Sequence, residues 1–294
     1  MQKVLIIGLG LIGGSLGLAL RQASNNGDRP PFEITGYDRS VERLQKANQM
    51  GAIDYASDAL TAAVQDAQIV MLATPALAVH QLLREIAPFL HNGTIVTDSA
   101  STKAAVTRWA EDLLPADIPF IGGHPMAGAT GSLEAARADL FHDATYCLTP
   151  GRAATPQAIE TLYRIIQALG ATPLLIDAAT HDRCVAAISH VPFLASVALV
   201  EMLTQDTHSD LMSRLASSGF RDTTRLASGD PTMYHDISLT NREAILSWLD
   251  AYSEQLQALR QILATADEAG DPRLKRFFEQ ARQQRQNIIR AKIP

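Results

Sequence analysis

The stretch "VLIIGLGLIGG" near the N-terminus constrains the fold more than any other part of this sequence. An apolar run ending at Ile7 reads as a buried strand, and Gly8, Gly10 and Gly13 follow in G-x-G-x-x-G spacing as a helix opens. A tight turn, a close backbone approach to a pyrophosphate and close helix packing each require a residue without a side chain. The helix N-terminus around Leu11 and Ile12 adds oriented N–H groups and partial positive charge. A second strand ends in "GYDRS", where Asp38 is placed to take ribose hydroxyls. The interval to Asp38 exceeds the ~20 residues usual for this motif, and "SNNGDRPP" accounts for the excess as an inserted loop. Asp38 slightly favours NAD because a carboxylate repels a 2'-phosphate, whereas Arg39 and Ser40 suit NADP. Thr74 and Pro75, after "QIVMLATP", are expected against the cofactor, although a plain strand-ending proline explains them equally well.

The remaining pattern extends this start into an α/β fold, a Rossmann-type doubly wound sheet followed by an all-helical domain. From residue 3 to about 177, short apolar runs ("EITGYD", "QIVMLATP", "GTIVTDS", "PFIGGHP", "TYCLTP", "TPLLID") alternate with amphipathic stretches at 40–50, 76–90, 102–114 and 155–169. After Asp177 only helical periodicity remains, over about 179–206, 209–217, a segment ending near 269 and one from 272. The division expected is therefore 1–177 for dinucleotide binding and 178–294 for substrate and dimer contacts. "NREAILSWLDAYSEQLQALRQILATA" carries an apolar stripe at 3- and 4-residue spacing. A second subunit would cover it, and so would an ordinary intrachain bundle.

A formal net charge of -6 without local basic runs argues against a nucleic-acid partner. Cys147 and Cys184 lack metal-site spacing and read as reduced thiols of a cytoplasmic protein, with no metal expected. The apolar "ISHVPFLASVALVEML" is shorter than the ~20 residues that span a bilayer and contains His190 and Pro192, so no membrane segment is expected.

Four stretches place polar residues where the pattern predicts burial or sheet-edge loops. "FIGGHPMAGATGS" sets His124 on a corner of small residues directly after a strand. "VTDSASTKAAV" has Ser101 and Thr102 at a helix start, where capping is the default reading. "HDRCVAAISHVPF" puts Asp182 and His190 two helical turns apart, on one face, although a lone histidine on an apolar helix is more often a core residue. "SSGFRDTTRLASGDP" has Arg221 and Arg225 at i, i+4, so that both guanidinium groups can address one pocket.

In order and spacing, "GLGLIGGSL", "TDSAST", "GGHPMAG", "HDRCVAAISHVPF" and "ASSGFRDTTRLASGDP" resemble the prephenate and arogenate dehydrogenases of tyrosine biosynthesis, over nearly the whole chain. The resemblance implies a Rossmann domain followed by a helical dimerisation domain, with the active site in the cleft between them. It also implies oxidative decarboxylation of a cyclohexadienol, with hydride passed to NAD or NADP. His124 then takes the ring hydroxyl's proton, with the neighbouring glycines letting nicotinamide and substrate approach, and Ser101 hydrogen-bonds the same hydroxyl. Arg225 holds a substrate carboxylate. His190, oriented by Asp182, lines the pocket, and Arg221 and Gly229 support its far wall. Where many prephenate-preferring members have a second histidine, this chain has Phe193, which favours arogenate over prephenate. No chorismate mutase segment precedes the glycine loop, so any feedback by tyrosine is expected at or near the active site. Two other readings stand beside this one. β-Hydroxyacid dehydrogenases use a helix-borne lysine, and the second domain has none before Lys275. A non-catalytic dinucleotide sensor would give His124, Ser101 and Arg225 no reason to converge.

Overall fold

The computed structural model describes residues 1–25, 32–128, 131–267 and 271–290. Residues 26–31 of the expected inserted loop lie outside that set. In chain order the elements are β1 (Gln2–Ile7), α1 (Leu11–Asn25), β2 (Phe32–Tyr37), α2 (Val41–Gln49), β3 (Tyr55–Ala56), α3 (Leu60–Asp66), β4 (Ile69–Leu72) and α4 (Ala76–Ile86). Then follow β5 (Ile95–Asp98), α5 (Ala104–Leu113), β6 (Phe120–Pro125), β7 (Thr145–Pro150), α6 (Pro156–Ala168) and β8 (Thr172–Leu175). The rest is helical: α7 (Ala178–Val185), α8 (Val191–Thr204), α9 (Ser209–Leu215), α10 (Ser218–Thr224), α11 (Pro231–Thr240), α12 (Arg242–Thr265) and α13 (Pro272–Arg290).

The eight strands form one sheet in the order β3-β2-β1-β4-β5-β6-β7-β8. Its central strands are apolar throughout because both faces are covered. Val4, Ile6, Ile69 and Met71 enter one core with α1 and α6, while Leu5, Ile7, Val70 and Leu72 enter the other with residues of α3, α4 and α5. Every pairing is parallel except β6 with β7. A parallel return needs a crossover, usually a helix. The described part of the β6–β7 connection contains only a 3-10 turn at Leu133–Ala135, and the strand comes back antiparallel. That return sets His124 opposite Cys147.

From Ala178 to Thr204 the helix is continuous for 27 residues, long and apolar enough by length and composition to cross a membrane, and longer than its apolar core suggests. Its first half nevertheless buries His181, Asp182 and His190 in polar contacts with the rest of the chain, which a lipid-facing span has no means to satisfy. Residues Ala186–His190 form a π turn, closed by the Val191 N–H on the Ala186 carbonyl. Pro192 follows one residue later, with no N–H of its own and a ring that crowds the preceding turn, and the widened turn accommodates both.

By compactness the chain divides into Met1–Ile245 and Leu246–Pro294. The second unit contains most of α12 and all of α13. On α12, Leu246, Tyr252, Leu256 and Leu263 are exposed, as are Phe278, Ile288 and Ile289 on α13.

Candidate active site

The glycine turn joins β1 to α1 with each glycine under a different constraint. Gly8 has φ +97°, a conformation that L side chains rarely adopt, and its N–H donates to the Tyr37 carbonyl at 2.9 Å. A Cβ on Gly13 would lie 1.9 Å from the Gly8 carbonyl oxygen, so α1 packs on the turn only through glycine. Gly10 has no protein atom within 4 Å of such a Cβ. The chain itself does not require glycine there, and the open space beside it leaves room for a ligand. Leu11 and Ile12 open α1 and pack on the core. Thr74 Oγ1 is buried beside this turn without a hydrogen-bond partner, an orphan that a bound group can satisfy, and Pro75 starts α4.

Asp38 ends the second strand with its carboxylate fixed, Oδ2 accepting from the Leu9 N–H and Oδ1 from the Ser40 N–H, both at 2.8 Å. Ser40 Oγ caps α2 by accepting from the Arg43 N–H. Arg39 is exposed and lines an open hollow with Asp38, Arg43 and Lys46. These residues fit a dinucleotide.

Four residues absent from the sequence-based set organise His124. Lys103 is wholly buried; its Nζ pairs with the Asp98 carboxylate and donates to the Gly123 carbonyl at 2.7 Å. Asp98 also accepts from the Gly123 and Ala100 N–H groups, so strand β6 is tied down on both sides of residue 123. His124 Nδ1 lies 2.9 Å from His181 Nε2, and His181 Nδ1 lies 2.8 Å from Asp182 Oδ1. Asn241 donates from Nδ2 to the Asp182 carbonyl at 2.8 Å and contacts His190 Nδ1 at 3.2 Å. Burial, and then the positive charge that His181, Lys103 and His190 can carry, holds the His124 pKa well below that of an ordinary histidine. The shift favours the neutral imidazole, which keeps a ring lone pair available.

Three expectations need correction. Gly122 and Gly123 do not clear a path for ligands: a Cβ on Gly122 would lie 2.4 Å from Thr149 Oγ1 and one on Gly123 2.4 Å from the Asp98 main-chain oxygen, so the chain itself fills both places. Asp182 orients His181 and not His190, because the π turn between positions 182 and 190 shifts the helical phase. Neither Ser101 nor Thr102 caps α5: the Lys103 and Ala104 N–H groups donate instead to the Asp182 carboxylate, at 2.7 and 2.8 Å. Thr102 bonds Thr240, and the half-buried Ser101 has no protein hydrogen-bond partner among the described residues.

On the helical side, burial pushes His190 down to about 4 even though Asp182 pulls it the other way. Arg221 lies on α10, and Arg225 begins a 3-10 turn, Arg225–Ser228, which hangs on α8 through the Ala227 N–H and Ser196 Oγ at 3.1 Å. Both arginines are exposed, with no ion pair among the described residues. Gly229 is required by Tyr234, whose ring a Cβ would meet at 2.4 Å. Tyr234 in turn stacks on Phe193 with ring centroids 3.3 Å apart. Hydrogen bonds thus bring together His124, His181, Asp182, Asn241 and His190, while Arg225 is attached to the same helix as His190.

Two family models match the chain: the prephenate dehydrogenase nucleotide-binding domain over residues 16–175, and the prephenate dehydrogenase dimerization domain over 177–280. Prephenate dehydrogenase of Bacillus subtilis (strain 168) is 35% identical over 296 residues, covering 98% of this chain and 76% of that protein. Cyclohexadienyl dehydrogenase of Zymomonas mobilis is 32% identical over 282 residues, 95% of this chain and 93% of its own. Among solved structures, Synechocystis arogenate dehydrogenase has a TM-score of 0.83 at 33% identity, covering 98% of this chain and all of that one (100%). Prephenate dehydrogenase from A. aeolicus, in complex with hydroxyphenyl propionate and NAD+, has a TM-score of 0.88 at 29% identity, covering 98% of each chain.

Proposed function

Since the chain belongs to the prephenate and arogenate dehydrogenase family, we propose that it oxidatively decarboxylates arogenate to tyrosine, using NAD in preference to NADP. The observation that carries this reading is a neutral, half-buried His124 held through Nδ1 at the end of β6. A base for a ring hydroxyl needs an available lone pair near neutral pH and a fixed direction. When bound, the nicotinamide supplies the hydride acceptor. His124 takes the hydroxyl proton as hydride leaves the same ring carbon. The carbon–carboxylate bond opposite then breaks, its electron pair enters the ring, and carbon dioxide departs from an aromatic product.

Ser101, without a hydrogen-bond partner among the described residues, is placed to hydrogen-bond the same hydroxyl. Arg225, exposed and with no ion pair among the described residues, offers two parallel N–H groups to a substrate carboxylate. His190 and Arg221 complete the substrate side, and Gly229 shapes it by admitting the Tyr234 ring. Gly8, Gly10, Gly13, Leu11 and Ile12 receive the pyrophosphate, Asp38 the ribose, and Thr74 and Pro75 the adjoining cofactor. Asp38 supports NAD; Arg39, with Arg43 and Lys46 across the hollow, supports tolerance of NADP. Phe193, committed to a stack and unable to offer a polar contact, supports arogenate. The names of the Bacillus and A. aeolicus relatives favour the second reading, prephenate to 4-hydroxyphenylpyruvate by the same steps.

We keep the division at residue 177, and read the protein as a cytoplasmic homodimer. The name of the second family model and the exposed apolar residues of α12 and α13 support the dimer. The test is a spectrophotometric assay of purified protein with arogenate and prephenate, each with NAD and NADP. Arogenate with NAD is expected to be fastest. No reduced cofactor in any combination would overturn the reading, and a monomer by light scattering would overturn the dimer.

A further inference from the structure

We infer that His181 and Asp182 are positioning residues, a relay that fixes the His124 proton on Nδ1 and so leaves Nε2 as the nitrogen that meets substrate. The step to substrate rests on the reading of His124 as the base; the tautomer itself does not.

The direction of each hydrogen bond follows from the far end. The Asp182 carboxylate already accepts from the Lys103 and Ala104 N–H groups, and a carboxylate has only acceptor oxygens to give His181. The proton of His181 is therefore on Nδ1, 2.8 Å from Asp182 Oδ1. In neutral His181 the other nitrogen, Nε2, is then an acceptor, and the group that meets it at 2.9 Å is His124 Nδ1. His124 must donate there, which leaves its own Nε2 lone pair bare.

The rings cross edge to face at 69°, a geometry that hydrogen-bonded imidazoles adopt and stacked ones do not. His181 is 1% exposed, so no water competes for the contact. The ionisable groups facing the pair are few. Lys103 is paired with Asp98, His190 with its low pKa is neutral against Asn241, and the buried Cys147 lies opposite His124 across β6 and β7. The positive charge of Lys103 still weighs against a cationic His124. The carboxylate of Asp182, two hydrogen bonds away, is the anion in line with His124 when it becomes an imidazolium.

A purely structural alternative gives Asp182 the sole task of capping α5 and makes His181 a satisfied core residue. The two are separated by 15N NMR of histidine-labelled full-length protein, with His124→Gln assigning the His124 signals. The relay requires a protonated Nδ1 and a pyridine-like Nε2 on His124. His181→Phe keeps the volume and removes the acceptor. It is expected to move His124 to the Nε2–H tautomer and to lower kcat on the order of 100-fold or more with KM nearly unchanged. His181→Gln places an amide oxygen where Nε2 stood and is expected to recover at least tenfold of that loss. An Nε2–H tautomer in the wild-type protein would overturn the relay, as would His181→Phe with wild-type kcat. The NMR result needs no substrate, so absence of turnover would sink the proposed reaction and leave the relay to be decided by the tautomer.

Discussion

Replacing Lys103 by methionine removes one member of a buried ion pair and keeps the volume of its stem. Asp98, 2% exposed, would retain main-chain donors from Gly123 at 3.0 Å and Ala100 at 2.8 Å but lose its counter-charge. The Gly123 carbonyl would lose the donor it has at 2.7 Å. Removing one partner of a buried pair costs about 3–5 kcal/mol, mostly because a charge is left uncompensated. Adding Asp98→Asn removes that charge but turns one of the two accepting oxygens into an NH2, so the Gly123 carbonyl and one of the Gly123 and Ala100 N–H groups are left unsatisfied, at about 1–3 kcal/mol each. The double variant is therefore expected to be destabilised about as much as Lys103→Met alone. Urea unfolding at fixed protein concentration, followed by circular dichroism and by fluorescence of Trp109 and Trp248, measures both differences. A single or a double variant within about 1 kcal/mol of wild type would refute the assignment.

Gly10→Ala is expected to leave thermal stability unchanged and to weaken dinucleotide binding at least tenfold by calorimetry, whereas Gly13→Ala, facing a carbonyl at 1.9 Å, should lower stability before any ligand is added. Arg225→Lys keeps charge but loses the parallel fork, and substrate KM should rise about tenfold to a hundredfold, since a hydrogen bond to a charged group contributes about 1.5–3 kcal/mol. His190 sits at about 4 when folded and near 6.5 when unfolded, so the unfolded chain takes up the proton first as pH falls. Its contribution, on the order of 3 kcal/mol, is present above pH 6.5 and is lost progressively down to about pH 4. His190→Gln should flatten the stability profile over that window, and an unchanged slope in urea titrations at pH 7 and pH 5 would contradict it.

The glycine turn was legible because its constraints are local: φ at Gly8 and packing at Gly13 follow from spacing alone. The short elements were not. β3 has two residues, both exposed, and α3, α10 and α11 are too brief for a clear apolar period. Within the site, motif resemblance singled out His124 but not what holds it. His181 is 57 positions away and Asn241 lies 59 beyond Asp182, and helical periodicity assigned Asp182 the wrong histidine. No pattern of apolar residues announces a π turn, although Pro192 in the middle of an apolar helix was its one visible trace. Lys103 drew no reading from the sequence: its counter-charge is five residues back in a strand, and only the fold makes that distance a contact.

The two carboxylates that cap α5 and α4 limit how this family can be recombined. Asp182 holds the first turn of α5, and Asp236 accepts from the Leu77 N–H at 3.1 Å at the start of α4. A chimera joined at residue 177 separates both acids from the helices they serve. Unless its new C-terminal part brings an acid to each place, two helix starts lose caps worth about 1 kcal/mol apiece. Compatibility between parents is then decided by whether the acids downstream of the junction match helix starts that lie about 75 to 100 residues upstream of it.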